Sequence, residues 1–160
     1  MEISSSSINK WLYALLFLVI IPVVLWFWAV STESLIRFPA IKSIQAGIIL
    51  AASGISLMAW GMYAIKKQGK GLPMNAFPPP KFVNRGPYRI FHHPIYVGFG
   101  LLMAGVFIWK GSASGLWMVT PCTIFGMVAL VWGYEKPDLE KRFPGEALIT
   151  VLHFPENRFL

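Results

Sequence analysis

The sequence predicts an all-α integral membrane protein with about four transmembrane helices, and three observations support this. Hydrophobic residues make up 56% of the 160 residues and charged residues only 13%, whereas a soluble domain carries about 25% charged residues. Long apolar segments recur along the chain, and the Lys and Arg residues behind the net charge of +7 stand between them, as is typical of membrane proteins. Composition therefore excludes a disordered chain, a nucleic-acid-binding tail and almost any soluble globular fold, and no nucleic-acid partner is expected. The length predicts one membrane domain over residues 1–160.

Four segments without charged residues are interpreted as the transmembrane helices. The first, residues 11–30, spans roughly 30 Å at about 1.5 Å per residue, which is the thickness of the hydrocarbon core. Residues 43–65 and 116–134 are similar, whereas residues 95–109 are short for a complete crossing. A cleaved signal peptide is the alternative for the first segment, because Ala29-Val30-Ser31 loosely resembles a cleavage site. Its apolar run exceeds the usual length of about 7–15 residues, which favours a retained helix.

The distribution of Lys and Arg predicts the orientation of the chain in the membrane. With four crossings, the N-terminus, the loop of residues 66–93 and the tail of residues 135–160 share one side. That side holds eleven of the 14 Lys and Arg residues, and the other side holds Arg37, Lys42 and Lys110. The positive-inside rule then places both termini and the long loop in the cytoplasm. The single cysteine, Cys122, allows no internal disulfide and does not indicate the redox compartment.

Small residues in the apolar segments predict close contacts between helices. Residues of this kind spaced four apart let two helix backbones approach each other. The pairs are Gly47 and Ala51, Ala52 and Ser56, and Gly100 and Ala104.

The loop of residues 66–93 is rich in proline and has no helical period, which is typical of a functional or disordered loop. Its end, Asn84 to Gly98, reads NRGPYRIFHHPIYVG and brings aromatic residues, basic residues and two histidines to the membrane boundary. Pro94 suits the first turn of a helix, where its missing N–H costs nothing. We therefore expect His92 and His93 at the start of the third helix, with Tyr96 and Gly98 one turn further.

Several motifs in this region resemble the isoprenylcysteine carboxyl methyltransferase and phospholipid methyltransferase superfamily. The resemblance extends from about Gly69 to Glu146, roughly half of the chain. The segment Glu135–Phe143 is similar to the family's Glu-Glu-x-x-Leu-x-x-x-Phe-Gly sequence. The other motifs are Gly-Lys-Gly-x-Pro at 69–73, Pro-Pro-Lys at 79–81, Gly-Pro-Tyr-Arg at 86–89 and His-Pro-x-Tyr-x-Gly at 93–98.

The resemblance implies a small helical membrane enzyme that uses S-adenosylmethionine to methylate a lipid or a lipidated, hydrophobic acceptor. It implies that the loop and the C-terminal segment form a cofactor pocket. The cofactor-binding residues that it implies are His93, Tyr96, Gly98 and Glu135, with His92 and Tyr88 as further candidates. A carboxylate suits the cofactor's ammonium group or ribose hydroxyls, aromatic faces suit its sulfonium cation, and Gly98 would let it approach the helix backbone.

Arg89 is the candidate for orienting an anionic group of the acceptor, because its guanidinium matches two oxygens at once. No metal site is expected, since one cysteine and three histidines show no recognisable ligand spacing. A haem held by His93 and His153 is a remote alternative, and both His92 and His93 would also suit plain interfacial positions. Asp138, Glu140, Lys141 and Arg142 are expected to form a solvated helix face.

Departures from the family pattern keep two other functions open. His92 stands where the family often has Arg, Lys136 replaces the second Glu, and Pro144 separates Phe143 from Gly145. Leu148 and Val151 stand where the family has tyrosines. A non-catalytic descendant serving as a structural subunit of a membrane complex is therefore the first alternative. The second is a membrane reductase of lipid double bonds, although no Gly-x-Gly-x-x-Gly pattern is present. The identity of the acceptor and the oligomeric state stay open.

Overall fold

The computed structural model describes residues 12–71 and 79–144, and in these two stretches every regular element is helical. Helix α1 covers Leu12–Leu35, α2 Ile44–Gly69, α3 Pro94–Lys110 and α4 Gly115–Arg142. A short 3₁₀ turn, Gly86–Arg89, precedes α3. The predicted all-α class is confirmed.

Three of these helices are long and apolar enough to cross a membrane. They are α1, α2 and α4, with 24, 26 and 28 residues and mean hydropathies of 2.6, 1.8 and 1.7. The helix α3 has 17 residues, which is the lower end of the length that spans a bilayer. Large apolar side chains such as Phe27, Ile49 and Phe125 are exposed, as a hydrocarbon environment requires. The chain is therefore a multi-pass integral membrane protein, and the predicted third span is its shortest helix.

Two helices continue beyond the apolar segments that predicted them. The helix α2 runs on through Lys66 and Lys67, and α4 runs on from Tyr134 to Arg142. A helix satisfies its own backbone hydrogen bonds, so it has no reason to stop where hydropathy falls. Glu135 consequently lies within a helix and not in a tail. The predicted start of the first span at residue 11 and the tail of residues 145–160 lie outside the described residues.

Wide, π-helical turns occur within α1 and α4, each shortly before a proline. The backbone N–H of Ile21, Thr120 and Lys136 each bonds to a carbonyl five residues earlier. The three turns, Leu16–Ile20, Gly115–Val119 and Val131–Glu135, each end two residues before a proline. A proline ring clashes with the carbonyl four residues earlier in a regular helix, and the extra residue in a wide turn relieves that clash. Pro22, Pro121 and Pro137 therefore lie inside continuous helices.

The described chain forms two compact units, residues 12–51 with 103–122 and residues 52–71 with 79–102 and 123–144. In the first unit, α2 and α3 approach so closely that a Cβ atom added at Gly105 would lie 2.5 Å from the backbone nitrogen of Ala51. It would lie 2.7 Å from the carbonyl oxygen of Gly47. The close approach predicted at Gly47 and Ala51 is confirmed.

Glu33, at the end of α1, caps the start of α4. Its Oε1 accepts a hydrogen bond of 2.8 Å from the backbone N–H of Ala113, and its Oε2 accepts one from the Ser112 hydroxyl. The Ser112 oxygen in turn accepts a bond of 3.0 Å from the N–H of Gly115. The first N–H groups of a helix have no partner within it and carry partial positive charge. The Glu33 carboxylate therefore satisfies donors and complements the helix dipole.

We expect Glu33→Ala to lower the free energy of unfolding by about 1–2 kcal/mol, the usual cost of removing a cap. Thermal unfolding of the purified protein in detergent measures the change. The matched control is Glu140→Ala, which removes an exposed carboxylate from α4 and should leave the midpoint within about a degree or two. Equal midpoints for both variants would show that the Glu33 cap contributes no stability.

Candidate functional site

The second unit is built around a contact between two glycines, Gly54 on α2 and Gly98 on α3. A Cβ atom added at Gly54 would lie 2.5 Å from the carbonyl oxygen of Gly98. One added at Gly98 would lie 2.7 Å from both the Gly54 oxygen and the Cγ of Met58. The open side of Gly98 is filled by α2. This differs from the expectation that Gly98 lets a cofactor approach the backbone, because helix packing already uses the missing side chain.

The Gly-Pro-Tyr-Arg motif folds as a turn against α2. Gly86 has a φ of +66°, which suits glycine because it lacks a Cβ atom. The position of its missing Cβ is 3.6 Å from Nε1 of Trp60. Pro87 is buried, and its carbonyl accepts hydrogen bonds from the N–H groups of Ile90 and Phe91, at 3.1 and 2.9 Å. The turn therefore fixes the chain directly before α3.

The first turn of α3 aligns two ring side chains. The carbonyl of His93 accepts a bond of 3.1 Å from the N–H of Val97, so the helical pattern begins at His93. Residues three apart lie on the same side of a helix. The rings of His93 and Tyr96 accordingly stack, with centroids 5.6 Å apart and planes inclined by 13°.

Glu135 of α4 joins these two side chains. Its Oε2 lies 3.2 Å from Nδ1 of His93, and its Oε1 accepts a hydrogen bond from the Tyr96 hydroxyl. The Glu135 side chain is only 12% exposed and that of His93 is 29% exposed. We call these three residues the Glu135 cluster. A partly buried carboxylate is costly unless donors satisfy it, and here two donors from one helix turn do so.

Tyr88, in the Gly86–Arg89 turn, is influenced by the charge of the same carboxylate. Burial raises the pKa of its phenol well above the ordinary value of 10.0, and the negative charge of Glu135 raises it further. Both causes disfavour a phenolate. The phenol of Tyr88 therefore stays neutral at physiological pH.

A second set of contacts holds the loop segment 79–83 against the end of α4. Nε and Nη2 of Arg142 bind Oδ2 of Asp138 at 2.8 and 2.7 Å, and Nη1 donates to the carbonyl oxygen of Pro79 at 3.2 Å. The rings of Phe82 and Phe143 lie 5.7 Å apart. The prediction of a solvated helix face was wrong for Arg142, because its guanidinium finds a backbone acceptor in the loop. Asp138 pairs with Arg142 on the same face of the helix.

Comparison with known proteins identifies the family. The sequence model of the phospholipid methyltransferase family matches residues 43–146, which is more than half of the chain. This protein belongs to the phospholipid methyltransferase family. No curated protein and no solved structure matches the chain significantly. The matched segment contains the Gly86–Arg89 turn, Tyr88 and all of the Glu135 cluster, and the family indicates a membrane methyltransferase. The resemblance inferred from the motifs is confirmed.

The two other candidate site residues, Arg89 and His92, lie on the surface of this phospholipid methyltransferase family member. Arg89 ends the 3₁₀ turn, is exposed and forms no ion pair with any residue of the two described stretches. His92 is also exposed and interacts with other groups of the protein. Within residues 12–71 and 79–144, His, Cys, Asp and Glu side chains do not gather in a group of three that could hold a metal ion.

The raised pKa of Tyr88 gives a test of this geometry by alkaline titration of tyrosine absorbance. Because the pKa of Tyr88 is higher in the folded chain than in the unfolded chain, its neutral phenol stabilises the fold below pH 10. This stabilisation is lost as the pH rises through the folded-state pKa. We expect Tyr88→Phe to remove a tyrosine that ionises well above pH 10. Glu135→Gln should lower that pKa only in part, because burial is the larger cause. A Tyr88 that ionises near pH 10 would contradict this placement.

Proposed function

We propose that the protein transfers a methyl group from S-adenosylmethionine to a lipid or lipidated acceptor at the cytoplasmic face of the membrane. In this proposal both termini are cytoplasmic, and His93, Tyr96, Glu135 and Tyr88 bind the cofactor. The observation that supports it most is the Glu135 cluster, because a carboxylate, an imidazole and a phenol meet inside the segment that matches a methyltransferase family.

The donors and acceptors of the cluster fit the proposed cofactor. Glu135 is a carboxylate that already accepts from His93 and Tyr96, and each carboxylate oxygen can accept about two hydrogen bonds. An acceptor of this kind suits an ammonium group or ribose hydroxyls. The stacked faces of His93 and Tyr96 offer aromatic surface to a sulfonium cation. His92 adjoins this set, and we propose it as a further contact. Gly98 contributes through the α2–α3 contact that positions the first turn of α3.

S-Adenosylmethionine supplies an electrophilic methyl group on a sulfonium, so the protein's task is to bind, orient and exclude water. None of the cluster residues has to act as a strong base. The neutral phenol of Tyr88 and the carboxylate of Glu135 can hold polar groups in place. The exposed apolar surfaces of α2 and α4 suit an acceptor that arrives through the bilayer, which agrees with the family name.

Arg89 is proposed to orient an anionic group of the acceptor. Arg89→Lys keeps the positive charge and loses the planar guanidinium that holds two oxygens. We expect methyl transfer to fall about tenfold or more, while S-adenosylmethionine binding and membrane insertion stay unchanged. Transfer is measured with labelled cofactor and a lipid extract. Unchanged rates would leave Arg89 as a contact to head groups only.

Equilibrium binding of S-adenosylmethionine to the purified full chain, measured by calorimetry in detergent, tests the proposal directly. We expect saturable binding that S-adenosylhomocysteine displaces, and transfer of a labelled methyl group to an extractable lipid. Absence of binding by a folded protein would overturn the proposal and favour a structural subunit of a membrane complex. Binding without transfer to any lipid fraction would exclude a lipid acceptor.

A further inference from the structure

We propose that the second unit has a binding surface for anionic phospholipid head groups, formed by the end of α2 and the loop that follows it. The surface consists of five exposed cationic side chains, which we call the basic face: Lys66, Lys67, Lys70, Lys81 and Arg85. This inference depends on the chain lying in a membrane and does not depend on methyl transfer.

Packing of the loop brings these cations to one end of α2. A Cβ atom added at Gly69 would lie 2.8 Å from Cβ of Pro79 and 3.0 Å from Val83, and one added at Gly71 would lie 2.6 Å from Cα of Pro79. The segment 79–83, which contains Lys81, therefore lies directly on the residues that flank Lys70. Gly86 lies against Trp60 and Ala64 of α2, which brings the preceding Arg85 to the same end.

The charges of the basic face are not neutralised within the described part of the second unit. Its three acidic residues are Glu135, Asp138 and Glu140. Glu135 binds His93 and Tyr96, and Asp138 binds Arg142. In residues 12–71 and 79–144, none of the five cations forms an ion pair. A group of cations without ion-pair partners attracts an anionic partner.

Two aromatic–lysine pairs indicate that this end lies at the level of the head groups. The Lys67 ammonium lies 5.6 Å from the ring centre of Tyr63, and the Lys136 ammonium lies 5.2 Å from that of Trp132. Tyr63 and Trp132 are 59% and 70% exposed. In each pair the aromatic residue comes one turn before the lysine, towards the apolar part of its helix. Exposed aromatic rings favour the interface, and lysines extend from them towards water.

Exposed apolar residues beside the basic face favour a lipid surface over a soluble polyanion. Ile90 and Phe91 follow the Gly86–Arg89 turn, and both are exposed. A nucleic acid would leave these side chains in water, whereas a bilayer interface accepts them. Clusters of Lys and Arg directly beside a transmembrane helix bind anionic lipids by this combination of charge and position.

The test uses the purified full chain in detergent and counts bound short-chain lipids by native mass spectrometry. We expect dioctanoyl phosphatidylglycerol to bind more tightly than dioctanoyl phosphatidylcholine, and high salt to reduce the difference. The double variant Lys66→Gln/Lys70→Gln should bind phosphatidylglycerol at least about tenfold more weakly. The matched control, Arg37→Gln/Lys42→Gln, removes two exposed cations of the first unit and should bind as the unchanged protein does.

A second double variant, Lys81→Gln/Arg85→Gln, tests the loop side of the basic face independently of the α2 end. Equal affinity for the two lipids, or undiminished binding by both basic-face variants, would overturn the proposal. If inorganic phosphate displaces the lipid at an equal concentration of negative charge, the surface is a free-phosphate site instead. Displacement by an oligonucleotide at low concentration would indicate a soluble polyanion as partner.

Discussion

Gly54→Ala is expected to lower the free energy of unfolding by about 3 kcal/mol, the upper part of the usual range for overpacking. The added Cβ would lie 2.5 Å from the carbonyl oxygen of Gly98 and 2.6 Å from the backbone nitrogen of Leu102. Both atoms belong to the backbone of α3, so they move only if the two helices separate. Denaturation with a strong detergent, followed by circular dichroism, measures the loss.

The control for Gly54 is a glycine on α4 that faces open space. A Cβ atom added at Gly126 would meet nothing within 4 Å, so Gly126→Ala should be neutral or stabilising by up to about 1 kcal/mol through helix propensity. The two variants make the same chemical change in two helices, and we expect effects of opposite sign. Equal destabilisation would mean that the close α2–α3 contact does not determine stability.

Glu135→Gln is expected to weaken S-adenosylmethionine binding by roughly 1–3 kcal/mol, about 5-fold to 150-fold. Gln retains one acceptor oxygen but loses the negative charge and places an amide opposite His93 and Tyr96. Tyr96→Phe and His93→Ala each remove one donor from the same carboxylate and should weaken binding within the same range. Calorimetry on each purified variant gives the affinity.

The matched control for Glu135 is Glu140→Gln, the same change on an exposed carboxylate later in α4. It should bind S-adenosylmethionine as the unchanged protein does. Thermal unfolding of all four variants separates loss of the site from loss of the fold. Undiminished binding by a folded Glu135→Gln variant would remove the cluster from the proposed cofactor site, even if the protein binds the cofactor elsewhere.

Hydropathy predicted the four helical segments, because uncharged runs of sufficient length have few other physical explanations. The sequence also predicted His93 at the start of α3 and Tyr96 one turn further, and residues three apart lie on one side of a helix. Their meeting with Glu135 could not be derived from spacing, since that residue is 39 positions away from Tyr96. Only the resemblance to a methyltransferase family placed it in the same site.

Three other features left no readable signal in the sequence. The bond from Arg142 to the loop ends on the carbonyl oxygen of Pro79, and every residue has such an acceptor. Gly98 belongs to a motif and also to a helix contact, and the sequence does not reveal which partner fills its open side. The Glu33 cap joins residues about 80 positions apart, and a lone acidic residue near a span end is usually solvated.

The wide turn before Pro137 determines how many residues this part of α4 must contain. Deleting one residue from Val131–Glu135 would restore a regular turn and press the proline ring against the carbonyl four residues earlier. A single-residue deletion here is therefore more damaging than most substitutions. We expect such a deletion to be tolerated only when Pro137 is replaced as well, because the replacement removes the clash.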